Sequence, residues 1–438
     1  MPPDLNLEPY WMPFTANRAF KQQPRLLESA RGFSYRGVDG REILDSFSGL
    51  WTSGVGHCHP KIVEAVQQQV ARLDYAAAFQ VGHPAQFELA EQVIEMAPPG
   101  FSHCFFVNSG SEAVDSALKI AIGYHRLRGE GTRTRLIGRE RGYHGVGFGG
   151  ISVGGIPANR KLFGNVLLPQ VDHLPHTHNL EHNAYRRGQP AWGAHLADEL
   201  DRLVALHDAS NIAAVIVEPV AGSTGVLVPP LGYLQKLREI CTRHGILLIF
   251  DEVITAFGRL GTAFGSERFA VTPDIITTAK GLTNGVIPMG AVLVKQAIYD
   301  AFMQGPEHAI ELFHGYTYSG HPVATAAGLA ALQVYRDEGI FEQARQHEAM
   351  FEEALHSFKG ENHVIDIRNF GLMGAIELAP RADAPGARGF DVHRRCFEAG
   401  LMVRNGMDTL QFAPFLTADQ AYYDKSFELL RQVLKKIA

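Results

Sequence analysis

An uninterrupted apolar run, Ile246-Leu247-Leu248-Ile249-Phe250, is followed at once by two carboxylates, Asp251 and Glu252. A second run, Ile212-Ala213-Ala214-Val215-Ile216-Val217, likewise ends in an acid, Glu218. Apolar strands that alternate with helical patterns are typical of a buried, mostly parallel sheet. The sequence therefore predicts an α/β fold. Because such sheets bind ligands beyond the carboxyl ends of their strands, Asp251 is predicted to lie in a ligand site.

The pattern along the chain predicts two structural parts. Between residues 56 and 320, amphipathic helical segments such as 61–73 alternate with short apolar strands. The first 55 residues contain a hairpin-like segment at 32–45, and after Gly320 two helical segments, 322–334 and 337–358, precede further strand patterns. We therefore predict a large domain over residues 56–320 and a small α/β lobe built from both chain ends, residues 1–55 and 321–438.

Composition excludes several classes of protein. The 438 residues carry a formal net charge of −6, which gives no basic surface for nucleic acid or an anionic membrane. No apolar run approaches the ~18 residues of a membrane span, and the N-terminus lacks the pattern of a signal peptide. Four scattered cysteines form no Cys-x-x-Cys pair, which is typical of a reduced cytoplasmic protein. They are Cys58, Cys104, Cys241 and Cys396.

Three short segments together predict a pyridoxal-phosphate site. Lys280 ends the segment 273–280 and offers an amine that can condense with the cofactor aldehyde, while Asp251 can keep the pyridine nitrogen protonated. Ser109-Gly110-Ser111 lies between an apolar strand and a helical pattern, where free backbone N–H groups bind phosphate. Each segment alone is more often a surface lysine, a helix cap or a strand end. Their order along one chain favours the cofactor.

Longer motifs resemble the class III aminotransferases, a family of fold-type I pyridoxal-phosphate enzymes. The likeness extends nearly from end to end, and within the family the chain is most similar to the omega-amino acid:pyruvate (beta-alanine:pyruvate) branch. The motifs that carry it are 11–18, 49–51, 142–145, Asp251 to Arg259, Pro273-Asp274, Lys280-Gly281, 314–319, 365–371 and 408–412.

The resemblance implies which residues bind the cofactor. Tyr143 is predicted to stack on the pyridine ring, since offset stacking contributes ~0.5–1.5 kcal/mol beyond burial. Thr317 matches a hydroxyl that reaches the phosphate of the neighbouring subunit, which implies a homodimer with shared active sites and allows a homotetramer. Lys280 and Asp251 are the predicted catalytic residues. The full predicted cofactor set is Ser109, Gly110, Ser111, Tyr143, Glu218, Asp251, Val253, Lys280 and Thr317.

The resemblance also implies a substrate site. Arg404 matches the family's carboxylate-binding arginine, and arginine is the residue suited to bidentate carboxylate recognition. Ser223 stands where gamma-aminobutyrate-type relatives have a glutamate that pairs with this arginine, so Arg404 is expected to swing aside for substrates without an alpha-carboxylate. Met407 replaces a common glycine and changes the expected loop. The predicted substrate-binding residues are Phe14, Trp51, Phe79, Arg404 and Gln411.

The resemblance implies ping-pong transamination, in which beta-alanine or another omega-amino acid gives its amine to the cofactor and pyruvate then accepts it. The products are a semialdehyde and alanine. A diamine or chiral-amine transaminase, or a semialdehyde aminomutase, uses the same machinery with another pocket. The expected partners are thus a small-molecule donor and a keto-acid acceptor.

Two further motifs suggest other chemistries. The segment 145–150 matches the Gly-x-Gly-x-x-Gly pattern of NAD-dependent dehydrogenases, with Asp172 near the position of a ribose-binding acid. We expect segment 151–157, with two glycines and a proline, not to form the required helix. His173, His176 and His178 could suggest zinc, but a proline among them predicts a surface loop. No metal site is predicted, and His57-Cys58-His59 is discounted because adjacent residues do not readily converge on one ion.

Overall fold

The computed structural model describes residues 5–437. Residues 1–4, which belong to the N-terminus predicted to lack a signal peptide, lie outside the described residues. The strands are β1 Leu27–Arg31, β2 Ser34–Gly37, β3 Glu42–Asp45, β4 Phe101–Val107, β5 Arg135–Arg139, β6 Val171–Leu174, β7 Ile212–Val217, β8 Leu247–Asp251, β9 Ile275–Thr278, β10 Gly290–Lys295, β11 Val364–Phe370, β12 Met373–Leu378, β13 Leu401–Met402, β14 Arg404–Gly406 and β15 Thr409–Phe412. The helices are α1 Asn17–Gln22, α2 Ser48–Trp51, α3 Pro60–Arg72, α4 Pro84–Met96, α5 Gly110–Leu127, α6 Phe148–Val153, α7 Pro157–Phe163, α8 Leu180–Asn183, α9 Glu199–His207, α10 Tyr233–His244, α11 Gly265–Arg268, α12 Gln296–Phe302, α13 Pro322–Asp337, α14 Ile340–His356, α15 Ala387–Glu398 and α16 Gln420–Leu434. Among them, none has both the length and the apolar character needed to cross a bilayer.

A seven-stranded sheet forms the centre of the described fold, in the order β4-β10-β9-β8-β7-β5-β6. Strand β10 runs antiparallel to both neighbours, and the remaining neighbours are parallel. Every residue of β7 and β8 is buried, as the two apolar runs predicted. In this register Val217 lies opposite Phe250. The next residues, Glu218 and Asp251, therefore emerge side by side at the carboxyl edge. The α/β prediction with a mostly parallel sheet is confirmed.

Helix α5 begins directly after β4, at the same edge of the sheet. Its N-cap is Ser109, whose Oγ accepts a hydrogen bond from Glu112 N at 3.2 Å, while the Glu112 carboxylate accepts one from Asn108 N at 2.7 Å. This reciprocal pairing satisfies the amides of Asn108 and Glu112. The amides of Gly110 and Ser111, in the first turn, have no intrahelical acceptors. The helix start is therefore prepared for an anion.

Both chain ends contribute to the smaller sheets. One has the order β1-β2-β3-β13, and its β3 pairs in parallel with β13 from the C-terminal part. The other, β11-β12-β15-β14, is antiparallel and lies wholly after residue 320. Such pairing is what a lobe made from both ends requires. The domain boundaries at 55 and 320 stay a prediction.

Several predicted elements differ from the observed ones. The helix expected from residue 337 begins at Ile340, because Gly339 adopts a left-handed conformation (φ 61°) that ends α13 and caps α14. Segment 151–157 was expected not to be helical, yet its first residues belong to α6, which ends before Gly154. His173 was expected in a loop, but it lies in β6 and its Nε2 is 2.9 Å from Gly154 O.

Arg259 joins the central sheet to the rest of the fold. Its buried guanidinium donates to Pro414 O at 2.6 Å, Leu372 O at 3.2 Å and Ser48 Oγ at 2.9 Å. These acceptors lie far apart in the sequence. One cation thus holds three segments together.

We predict that Arg259→Met lowers the free energy of unfolding by about 2 kcal/mol or more, because it leaves two buried carbonyls without donors. Thermal unfolding followed by circular dichroism should show a clearly lower Tm. Arg72→Met, at the exposed end of α3, provides the control and should leave Tm nearly unchanged. Equal Tm values for both variants would contradict the role of Arg259.

Candidate active site

A cavity of about 610 Å³ lies at the carboxyl ends of β7 and β8. It brings together ten of the residues predicted for cofactor or substrate. These are Phe14, Trp51, Gly110, Ser111, Tyr143, Glu218, Asp251, Val253, Lys280 and Arg404. The sheet edge and helix α5 form one side, and β14 of the C-terminal part brings Arg404 to the same space.

Asp251 is buried and held by three donors. Its Oδ2 lies 2.8 Å from His144 Nδ1, and its Oδ1 accepts hydrogen bonds from Val253 N and Thr277 Oγ1, both at 3.2 Å. These bonds fix the carboxylate orientation in a place where an unpaired charge would be costly. Asp251 therefore presents a fixed negative group to the cavity.

Lys280 stands after β9 in a left-handed backbone conformation (φ 47°), which is uncommon for a residue with a side chain and often accompanies function. Its Nζ lies 5.4 Å from the ring centre of Trp51. The pKa of Lys280 is lowered to about 8, chiefly by burial and in part by Arg404, while Asp251 and Glu218 oppose the shift. A substantial fraction of the amine is therefore neutral near pH 8.

The start of α5 forms a tight cradle with the loop that follows β5. A Cβ added to Gly145 would lie 2.4 Å from Ser111 Oγ, and one added to Gly110 would lie 2.9 Å from Val253 Cγ2. Val146 N donates to Ser111 Oγ at 3.1 Å. The glycines thus let three segments approach closely enough to surround a small anion.

Glu218 links two loops of the cavity wall. Its Oε1 accepts a hydrogen bond from Tyr143 N at 2.9 Å, and its Oε2 accepts one from Gly222 N at 3.2 Å. Burial raises the pKa of Glu218 to about 7. The same desolvation raises the pKa of Tyr143. Through its hydrogen bond from Tyr143 N, Glu218 holds Tyr143 in the cavity wall.

Arg404 forms no ion pair within residues 5–437, and burial lowers its pKa. Its Nε is buried without a hydrogen-bond partner, and its guanidinium carbon lies 5.7 Å from the ring centre of Phe47. An arginine in this situation is an open site for an anion, because its charge is partly desolvated and uncompensated.

Four predicted site residues do not line this cavity. Ser109 caps α5, and Gln411 is fully buried with its Nε2 donating to Ser223 O at 2.9 Å. Phe79 and Thr317 lie in an exposed area, where Phe79 packs close to Gly315. Both are outside the cavity of their own chain.

Other cavity residues were missed by the sequence analysis. His144 was quoted only as part of a motif, although a histidine directly before a glycine-rich segment can reach a neighbouring buried acid. Leu50 and Ile254 could have been found from the sequence, since they adjoin the predicted residues Trp51 and Val253. The wall near α7, formed by Ile156, Ala158 and Asn159, gave no signal because it has neither apolar periodicity nor a reactive side chain.

The competing motifs have structural roles. A Cβ on Gly147 would lie 2.2 Å from an oxygen of Asp115, and Gly150 N donates to the same carboxylate at 2.9 Å. This acid would repel a pyrophosphate, so the glycines serve close packing. The three histidines do not converge. His178 instead groups with Asp366 and Glu377, whose carboxylates Arg368 binds at 2.5 and 2.6 Å.

Comparison with known proteins identifies the family. The family model for Aminotransferase class-III matches residues 15–434. The chain belongs to the class III aminotransferases. It is 58% identical to an omega-aminotransferase of Caulobacter vibrioides, covering 99% of this chain and 98% of that protein. It is 52% identical to a beta-alanine--pyruvate aminotransferase of Pseudomonas aeruginosa, covering 99% and 97%.

Solved structures show the same fold. An amine transaminase from an uncultivated Pseudomonas species, in its pyridoxal-phosphate-bound form, has a TM-score of 0.90 and 34% identity and covers 98% of this chain and 99% of that one. The omega transaminase of Pseudomonas jessenii, in complex with pyridoxamine phosphate, has a TM-score of 0.91 and 31% identity over 98% and 96% of the two chains. The present enzyme is thus a pyridoxal-phosphate-dependent aminotransferase of fold type I, and the NAD-dependent dehydrogenase alternative is wrong.

The cavity fits this cofactor. The cofactor needs an amine, an acid for the ring nitrogen and a phosphate cradle. Lys280, Asp251 and the start of α5 supply all three around one space. The Gly110 and Gly145 positions, where a Cβ would collide, keep that cradle open.

We predict that Lys280 reacts with amine reagents in cofactor-free protein with a midpoint near pH 8, against ~10.4 for a free lysine. The sign follows from burial, which disfavours the ammonium and leaves the reactive neutral amine above pH 8. Competitive labelling and peptide mass spectrometry would measure the midpoint. In Arg404→Met it should rise, because a nearby positive charge is removed. A wild-type midpoint equal to that of a free lysine would refute this prediction.

Proposed function

We propose that this enzyme transfers the amino group of beta-alanine or another omega-amino acid to pyruvate, producing a semialdehyde and alanine in a ping-pong mechanism. The observation that carries the proposal is Arg404, a cation without an ion pair within the described residues, in the same cavity as Lys280. Both proposed substrates carry a carboxylate. The names of the similar proteins from Caulobacter vibrioides and Pseudomonas aeruginosa support the same substrates.

The proposed cofactor site assigns a role to each wall of the cavity. Gly110 and Ser111 at the start of α5, with Ser109 as its cap, would bind the phosphate. Asp251 would face the ring nitrogen, Tyr143 would stack on the ring, and Val253 would pack beside it. Glu218 would act by holding Tyr143 through its backbone amide. When bound, pyridoxal phosphate supplies an electron sink for the carbanion formed at the substrate carbon.

Lys280 is the proposed proton carrier. Its amine would move a proton from the amine-bearing carbon of the donor to the cofactor, and in the second half-reaction it would move a proton the other way, to the former keto carbon of the acceptor. A pKa of about 8 suits this task, because a base works best when its pKa lies near the operating pH. Trp51, close to the amine, would exclude water from this position.

Arg404 is the proposed carboxylate binder. Its guanidinium can form two parallel hydrogen bonds with pyruvate, which hold the keto carbon in a defined place. Phe14 and Trp51 would form the apolar part of the substrate pocket. Phe79 would contribute to the partner's pocket, since it lies outside the cavity of its own chain.

A broad amine transaminase is the second candidate. Apolar side chains also line the cavity, among them Leu50, Ile156 and Ile254, and would accept a monoamine without a carboxylate. Arg404 would then serve the acceptor alone. The diamine and aminomutase alternatives have no specific support in these residues.

A homodimer with shared active sites is part of the proposal. Phe79 and Thr317 lie in one exposed area, where Tyr75 Oη donates to Thr317 O at 3.0 Å and the rings of Tyr75 and Tyr318 lie 5.8 Å apart. Exposed aromatic clusters of this kind are typical of subunit interfaces. A tetramer and a cytoplasmic location stay predictions.

We predict that Asp251→Asn retains the cofactor but lowers turnover by ~10²-fold or more, because the charge facing the ring nitrogen is lost. Absorbance of the purified variant would report cofactor content, and steady-state kinetics would report turnover. Thr277→Val, which removes only one hydrogen bond to Asp251, is the matched control and should lose much less. Wild-type turnover in Asp251→Asn would refute the role.

We predict that Arg404→Ala raises the pyruvate KM roughly tenfold to hundredfold, since a hydrogen bond to a charged group contributes on the order of 1.5–3 kcal/mol. Stopped-flow measurement of each half-reaction would separate the effects. Deamination of a simple monoamine has no carboxylate to bind and should stay nearly unchanged. Equal damage to both half-reactions would mean that Arg404 supports the fold or the cofactor instead.

A further inference from the structure

Gln411 and Arg404 form a direct cross-strand pair between β15 and β14. Residues opposite each other in an antiparallel ladder have their side chains on the same face, with Cβ atoms ~4.5–5.5 Å apart. Gln411 is fully buried and does not line the cavity, whereas Arg404 does. The glutamine therefore lies behind the arginine rather than beside a substrate.

The orientation of the Gln411 amide is determined by its surroundings. Its Nε2 donates to Ser223 O at 2.9 Å, and a carbonyl can only accept, so the amide cannot be reversed. Gly406 makes the space for it, because a Cβ at Gly406 would lie 2.9 Å from Gln411 Nε2 and 3.6 Å from Ser223 O. The Oε1 of Gln411 is thereby turned away from Ser223.

Two buried atoms on this pair lack partners within the described residues. One is the acceptor Oε1 of Gln411, and the other is the donor Nε of Arg404. Buried polar atoms without partners are rare and costly, since each loses its hydrogen bond to water without replacement. Here a donor and an acceptor of matching chemistry stand on directly paired residues.

We propose that Gln411 is a positioning residue for Arg404: its Oε1 accepts a hydrogen bond from Arg404 Nε when Arg404 binds a substrate carboxylate. The Ser223 carbonyl holds the glutamine amide in the orientation that this requires. Both terminal nitrogens of Arg404 then remain free for a bidentate contact. This inference rests on the proposed role of Arg404. It replaces the expected direct contact between Gln411 and the substrate with an indirect one.

Two variants of the holoenzyme test the proposal. Gln411→Met keeps the approximate volume but removes both hydrogen bonds. Gly406→Ala keeps Gln411 and displaces its amide, and Gly406 has an ordinary negative φ that alanine also adopts. The readouts are the dissociation constant of propionate by calorimetry, the pyruvate KM, and the rate of the monoamine half-reaction. Propionate is a carboxylate that cannot react, so its binding reports Arg404 without chemistry.

For Gln411→Met we expect a roughly tenfold weaker propionate affinity and a similar rise in the pyruvate KM, with an unchanged monoamine half-reaction. Gly406→Ala should change the same quantities in the same direction by less. In an Arg404→Ala background, Gln411→Met should have no further effect on pyruvate, because its action passes through Arg404.

Additive losses in the double variant would show that Gln411 contacts the substrate itself and would overturn the proposal. So would unchanged propionate affinity in Gln411→Met. Failure of the proposed function would give a different result from either of these outcomes. In that case Arg404→Ala alone would leave propionate and pyruvate binding unchanged.

Discussion

Two buried acids at the carboxyl edge of the central sheet determine the geometry of the site. Glu218 and Asp251 stand at the ends of adjacent parallel strands, and hydrogen bonds to both oxygens of each carboxylate offset part of the cost of burying them. The loop after β5 serves both, since Tyr143 N donates to Glu218 and the His144 ring bonds Asp251. Satisfying the two carboxylates thus places Tyr143 over the cavity. The same negative charges moderate the fall in the pKa of Lys280 that burial produces.

The cavity depends on both structural parts of the chain. The sheet edge supplies the acids and Lys280, whereas the antiparallel sheet after residue 320 supplies Arg404. Arg259 connects the two through hydrogen bonds to Leu372 O and Pro414 O. A change in the relative placement of the parts would separate Arg404 from Lys280. The chemistry therefore relies on contacts remote from the reacting atoms.

The sequence predicted those features that depend on short stretches of neighbouring residues. Apolar runs predicted β7 and β8, and the residue types at the end of β8 and after β9 predicted Asp251 and Lys280 as neighbours of a cofactor. Local pattern placed the end of helical structure too early, since α6 includes residues 151–153 and ends only before Gly154. His144 and the wall near α7 could not be predicted, since only the tertiary fold brings them to the cavity. The assigned roles of the site residues stay predictions.

The case of Arg404 shows that a residue's surroundings indicate its function better than its residue type does. No acid among the described residues pairs with its side chain: the Phe47 ring lies 5.7 Å from the guanidinium carbon, Gln411 is its strand partner, and Ser223 lines the same cavity. A carboxylate at Ser223 or Gln411 would compete with the substrate for the cation. Neutral hydrogen-bonding neighbours can orient the guanidinium without neutralising it, so its charge remains available to an incoming carboxylate. Because burial has already removed much of the water around Arg404, that contact gains strength from the low local dielectric.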